Sequence, residues 1–258
     1  MNKSWKVFCE DNKKTLGRFE EGKVDYVITS PPYNIAGHRN DLYYDIGYED
    51  GLSESEYLNA RISEFSLLED KLNPFGCICY NLGYSHLNPS LPSKLVVKVE
   101  NETKFSLVDK VTWKKNTSIP FQTSKQRVSR ICEQIYVFSK RPDSFETNKK
   151  VTTVNEDTGQ SFYEGVDNFI EAKNNDGVET DLKATFSTEL VRKLLEMYVP
   201  KEKMVYDPFM GIGTTGVACL RNGRKFLGSE VQRKYFDKAK SRIKRAENKI
   251  GNKFFEVE

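Results

Sequence analysis

The chain has 258 residues, the length of one large domain or of one domain carrying a modest insertion. Its 38% hydrophobic and 30% charged residues describe a globular chain and exclude disordered or collagen-like classes. No apolar run approaches the ~18 residues a membrane span needs, and the opening MNKSWKVFCEDNKK lacks the apolar stretch of a signal peptide, so a cytoplasmic location off the membrane is expected.

A first strand is predicted in VDYVITSPPYN (24–34), with Val24, Tyr26, Val27 and Ile28 buried. Pro31-Pro32 ends it, since a prolyl ring donates no ladder hydrogen bond and restricts the residue before it. The stiff loop holds two acceptors, the Ser30 hydroxyl and the Pro31 carbonyl, in fixed directions, and Tyr33 adds a flat face. That set suits an exocyclic amino group on an aromatic base; the same letters also make a plain Pro-Pro turn. Tyr43, Tyr44 and Tyr48 in DLYYDIGY follow, either as a lid or as a loosely packed aromatic loop. The two histidines, His38 and His86, are assigned no role.

A helix from about Ser55 to Leu72 comes next, apolar at Tyr57, Leu58, Ile62, Phe65, Leu68 and Leu72. The turn Asn73-Pro74-Phe75-Gly76 then leads into the strand CICYNL (77–82). The five cysteines include no C-x-x-C pair, so they are expected to be buried thiols with neither a metal site nor a disulfide. The net charge of +3 is too slight to argue a polyanionic partner, but its distribution says more. Residues 110–150 hold ten Lys or Arg against three acids, and residues 151–182 hold one Lys against eight acids. One stretch suits anions and the next does not, unless both are simply solvated faces. Between Lys140 and Ala184 the periodicity dissolves into polar sequence, which reads as an insertion or small recognition lobe.

Regular alternation then resumes with a helix from Thr188 to Tyr198, the strand KMVYDPF, the loop MGIGTTG and a helix near Val217 to Arg221. The strand RKFLGSEV and an amphipathic helix from about Gln232 to Lys249 complete the pattern. Glycines after a strand and before a helix let the backbone approach a ligand, and the free amides at the helix start favour an anionic group. Glu230, nineteen residues after Gly211, is placed to accept hydrogen bonds from both hydroxyls of a ribose, in a nucleoside or a dinucleotide.

On these residues the chain resembles the amino-group DNA methyltransferases that use S-adenosylmethionine, in the motif order of their beta group. TSPPYN (29–34) comes first and DPFMGIGTTG (207–216) late. TFSTELVRKLLEMYVP resembles the helix that closes over the methionine part of the cofactor, and VFCEDNKKTL the strand whose acid lies by the adenine. VTWKKN (111–116) and EQIYVFSK (133–140) are similar to the later strands of the family. The resemblance implies an α/β, Rossmann-like methyltransferase fold with a mostly parallel central sheet and a small irregular recognition insertion. It divides the chain into a catalytic half (1–140), a target recognition insertion (141–183) and a cofactor-binding half (184–258).

The implied catalytic residues are Ser30, Pro31, Pro32 and Tyr33. The implied S-adenosylmethionine contacts are Asp11, Thr29, Ser187, Asp207, Pro208, Phe209, Gly211, Gly213, Thr214, Thr215 and Glu230, with no metal. The partner would be double-stranded DNA from which the target base is flipped, its phosphates held by Lys114, Lys115, Lys125, Arg127, Arg130 and Lys140. The protein would be a monomer or homodimer, with a cognate restriction endonuclease acting on the same site. In this family Ser at the head of the loop goes with N4 of cytosine and Asp with N6 of adenine, so N4-methylcytosine is the expected product and N6-methyladenine the alternative. RNA or protein-glutamine methylation, on a similar N-P-P-Y loop, and a non-catalytic nucleotide-binding module are the competing readings.

Overall fold

The computed structural model describes residues 4–34, 51–85, 87–119, 125, 128–182 and 185–253. In chain order the elements are β1 (Trp5–Phe8), α1 (Asn12–Leu16), β2 (Tyr26–Thr29), α2 (Glu54–Lys71), β3 (Cys77–Leu82), α3 (Leu91–Glu102), β4 (Ser106–Ile119) and β5 (Arg130–Ser139). There follow β6 (Val151–Val154), β7 (Ser161–Tyr163), β8 (Phe169–Glu171), α4 (Thr188–Tyr198), β9 (Met204–Asp207), α5 (Thr214–Arg221), β10 (Lys225–Ser229) and α6 (Arg233–Lys253). Eight strands form one sheet in the order β1-β10-β9-β2-β3-β5-β4-β8. β5 runs antiparallel to both its neighbours, and the other pairings are parallel.

The sheet is covered on both faces, which is why all six residues of the central strand β3 are buried. One core packs Leu16, Ile62, Phe65, Leu68, Leu95 and Val99 of α1–α3 against one face. The other packs Leu190, Leu194, Val217, Ala239 and Ile243 of α4–α6 against the opposite face. α2 begins one residue before its predicted start because Ser53 and Glu56 form a reciprocal capping box. Cys77, Cys79 and Cys219 are buried and Cys9 and Cys132 half-buried. Among the described residues no helix is long and apolar enough to cross a membrane.

The expected irregular stretch 141–183 contains more order than its composition announces. β6 and β7 pair as a ribbon of their own, and β8 joins the main sheet alongside Thr112–Lys114 of β4. Asn148, leading into the ribbon, bonds the Met197 and Glu196 carbonyls at the end of α4. The ribbon is thereby anchored at the edge where the parallel strands begin.

α2 also buries a charge pair, Arg61 Nη2 to Glu64 Oε1 at 2.9 Å, with side chains 2% and 6% exposed. Removing one member leaves the other charged in a low-dielectric site, so Arg61→Met should cost about 3–5 kcal/mol of unfolding free energy. Denaturant titration reads this directly, and a loss under ~1 kcal/mol, the scale of a surface pair, would show the pair to be solvated.

Candidate active site

β2 and β9 lie side by side at the centre of the sheet, and from them the strand order runs outward in opposite directions. Such a switch point opens a crevice at the carboxyl ends of the strands. The two loops singled out in the sequence leave from these neighbours, Ser30–Tyr33 from β2 and Asp207–Gly213 from β9.

Asp207 ties the loops together. Its carboxylate accepts from Thr29 Oγ1 at 2.7 Å, Thr215 Oγ1 at 2.6 Å and the Phe209 amide at 3.1 Å. Burial, the main cause, pushes its carboxyl up to about 6 against the lowering effect of those three donors. Thr29 and Thr215 are themselves 1% and 0% exposed, so both hydroxyls brace the loops from beneath.

Glu230 follows β10 and is 2% exposed. Its Oε2 accepts from the Gly211 amide at 3.0 Å and its Oε1 from the Gln232 amide at 2.7 Å, which aims the carboxylate along the glycine loop. Gly213 caps α5 in the left-handed region at φ 78°, a conformation that glycine adopts without steric cost.

A cleft is walled by Ser30, Tyr33, Asp207, Phe209, Gly211 and Glu230, with Pro31, Pro32 and Thr214 also on its surface. Leu182, Thr185 and Phe186 also line it. A second cavity holds Asp11, Asn12, Pro208 and Val231 and shares Pro32, Phe209 and Glu230 with the first. Pro32, Phe209 and Glu230 stand where the two spaces meet, with Ser30 and Tyr33 on one side and Asp11 and Pro208 on the other. Asp11 is also the cap of α1, accepting from the Lys13 amide at 2.8 Å.

Tyr33 is more enclosed than a stacking face exposed on a loop would be, at 6% exposure. Its ring edge lies against Gly83, where a Cβ would come within 2.7 Å of the Tyr33 ring. Its hydroxyl meets Ser30 Oγ at 2.7 Å, accepts from Asn81 Nδ2 at 2.6 Å and donates to Glu133 Oε2 at 3.1 Å. Tyr57 in α2 donates to the Pro32 carbonyl at 2.9 Å and so fixes the loop from outside. Asn81 and Tyr57 carry no motif of their own, and Glu133 heads EQIYVFSK, a stretch that the sequence marks only as a strand. Asn81 and Glu133 reach the site because β3 and β5 pair with Leu82 opposite Gln134.

Ser187, expected at the cofactor, spends its hydroxyl capping α4 through the Leu190 amide at 3.3 Å, while its neighbours Thr185 and Phe186 line the cleft. Lys140 is a correction to the DNA-contact set. The antiparallel run of β5 carries it to the edge opposite the cleft, where its ammonium bonds the Leu72 and Glu69 carbonyls at the end of α2.

Lys114 pairs with Glu171 at 2.5 Å, Lys115 pairs with Glu133, and Arg130 bonds the Tyr84 carbonyl and stacks on its ring. All three lie at the cleft end of β4 and β5. Lys125 is exposed in a turn. Arg127, the tyrosines at 43, 44 and 48, and both histidines lie outside the described residues.

Comparison with known proteins agrees with this geometry. Residues 24–241 match the family model described as a DNA methylase. The chain is 26% identical over 270 residues to the Type II methyltransferase M.Cfr9I of Citrobacter freundii, covering 92% of this chain and 87% of the relative. It is 24% identical to M.HpaI of Haemophilus parainfluenzae, covering 92% and 74%. In fold it is similar to the PvuII DNA methyltransferase, named as cytosine-N4-specific, with a TM-score of 0.71 at 20% identity over 96% of this chain and 93% of that one. The M1.HpyAVI–SAM complex has a TM-score of 0.64 at 21% identity, over 93% and 98%. With the family model spanning the Ser30–Tyr33 loop, the glycine loop and the sheet between them, the chain belongs to the N6/N4 DNA methylases, enzymes that methylate an exocyclic amino group of a DNA base.

Proposed function

We propose that this chain transfers a methyl group from S-adenosylmethionine to N4 of a cytosine flipped out of double-stranded DNA. The observation that carries the reading is the single cleft that joins the Ser30–Tyr33 loop to the glycine loop and Glu230. S-adenosylmethionine, when bound, supplies a methyl group activated on a sulfonium sulfur. The chain's own work is placement: Ser30 and the Pro31 carbonyl accept hydrogens of the target amine, and Tyr33 supports the ring that carries it.

Asp11, Pro208, Phe209, Gly211, Thr214 and Glu230 are the proposed cofactor contacts, with Thr29, Asp207 and Thr215 bracing them and Gly213 shaping the loop. The catalytic set is Ser30, Pro31, Pro32 and Tyr33. Lys114, Lys115, Lys125, Arg127 and Arg130 are the proposed phosphate contacts. The proposed division keeps 1–140 as the catalytic half, 141–183 as the recognition segment and 184–258 as the cofactor half. A restriction endonuclease acting on the same site is the proposed further partner.

Cytosine is favoured because the residue at the head of the loop is the neutral Ser30 and because the similar PvuII enzyme is named as specific for cytosine N4. Incubation of the purified chain with labelled S-adenosylmethionine and mixed genomic DNA, then mass spectrometry of the nucleosides, is expected to yield N4-methylcytosine. N6-methyladenine alone would overturn the base assignment. Absence of label from all DNA would overturn the activity.

A further inference from the structure

Ser30 poses a chemical problem. As the target nitrogen bonds to the methyl carbon and the carbon–sulfur pair withdraws to sulfur, positive charge passes to the nitrogen, which must then give up a proton. An aspartate at the head of the loop could take that proton itself, whereas a serine hydroxyl has no comparable basicity.

The hydrogen bonds around Tyr33 supply the missing base. Its one hydroxyl proton points to Glu133 Oε2 at 3.1 Å, and Asn81 Nδ2 donates to its oxygen at 2.6 Å. Ser30 Oγ, at 2.7 Å from the same oxygen, is then the donor in that contact, and its lone pairs are left to accept from an amine in the cleft. The chain of donors runs in one direction, from the target amine to Ser30, to Tyr33, to Glu133.

We propose that Glu133 is the terminal proton acceptor of methyl transfer, acting through Tyr33 and Ser30. The inference rests on the methyltransferase reading above. The amine proton moves to Ser30 Oγ, the serine proton to Tyr33 Oη and the phenolic proton to Glu133, whose carboxylate becomes a carboxylic acid. The bonds broken and formed on the two hydroxyls balance, so both end neutral, as they began. The surroundings of Glu133 hold it ready: Lys115 from β4 pairs with Oε1, Asn81 from β3 donates to Oε2 at 2.9 Å, and Tyr33 stands between it and the cleft. The glutamate side chain is 11% exposed, which keeps bulk water from short-circuiting the path. Glu133 touches no substrate and is therefore a positioning and proton-accepting residue behind the catalytic pair.

Glu133→Gln keeps the shape and an acceptor for Tyr33 while removing the base. Single-turnover methyl transfer to duplex DNA, measured from pH 5.5 to 9, should fall ~100-fold in this variant, the scale of lost general-base assistance, with DNA and cofactor affinities within about threefold of wild type. Its rate should climb with pH as hydroxide replaces the relay. Tyr33→Phe breaks the same path, so the double variant should be no slower than the slower single one, as for groups that act as a unit. Multiplicative losses, or a variant with the rate and pH profile of wild type, would overturn the relay.

A readout without substrate is the Tyr33 ¹³Cζ resonance, assigned by its absence in Tyr33→Phe. At fixed pH this resonance should move in Glu133→Gln, where the acceptor of the phenolic hydrogen bond changes from a carboxylate to an amide, and an unchanged resonance overturns the contact. Failure of wild type to transfer any methyl group would instead strike the function itself.

Discussion

Asp207→Ala and Gly211→Val are each expected to weaken S-adenosylmethionine binding by at least ~100-fold, about 2.7 kcal/mol, while the chain stays folded. Asp207 is the junction on which Thr29, Thr215 and the Phe209 amide converge, so alanine releases both loops of the cleft at once. Three donors lose their acceptor, at about 1–3 kcal/mol each where they remain buried. That cost is offset in part because the variant no longer buries a carboxylate.

The Asp207 carboxyl is raised from 3.8 to about 6 in the folded chain, so folding favours its neutral form. Its contribution is fully present below about pH 4 and is lost as pH rises through about 6, a decline of roughly 3 kcal/mol. Unfolding free energies measured between pH 4 and 7 should show this decline in wild type and not in Asp207→Ala.

Gly211 sits at φ 51°, and a Cβ there would lie 2.8 Å from Leu182 Cδ2. The left-handed backbone costs a branched residue roughly 1–2 kcal/mol, and Leu182, contacted at the end of a flexible side chain, is able to yield. The valine methyls, however, enter the cleft that Gly211 lines. Calorimetry that finds wild-type affinity in both variants would sink the assignment of the cleft.

Tyr33→Ala should leave cofactor affinity near wild type and lower methyl transfer by two to three orders of magnitude. Stacking of a flipped base on an aromatic ring is worth ~1–3 kcal/mol. The sequence points to the face of Tyr33 alone, which would let phenylalanine recover much of the loss. The structure adds the hydroxyl, bonded to Ser30, Asn81 and Glu133. Tyr33→Phe should therefore lie between alanine and wild type, recovering the ring but not the proton path. Alanine turning over as fast as wild type would mean that the base is held elsewhere.

The parts of this protein legible in the sequence are those whose cause is local. Pro31-Pro32 ends β2 because of its own ring chemistry, and the 3.6-residue spacing of Leu190, Val191, Leu194, Leu195 and Tyr198 makes α4 with its predicted bounds. The two loops and Glu230 were legible for the same reason, since each follows a strand whose apolar run announces it. The parts that were not legible depend on partners far along the chain. β8 has three residues, of which only Ile170 is buried, and it becomes a strand because Thr112–Lys114 lie beside it. Lys140 looked like its basic neighbours until the antiparallel course of β5 carried it to the far edge. The same strand brought Glu133 beside Tyr33, a hundred positions away. Local spacing carries no information about such a pairing, because register across a sheet is fixed by the strands' common burial and not by any one strand's own letters.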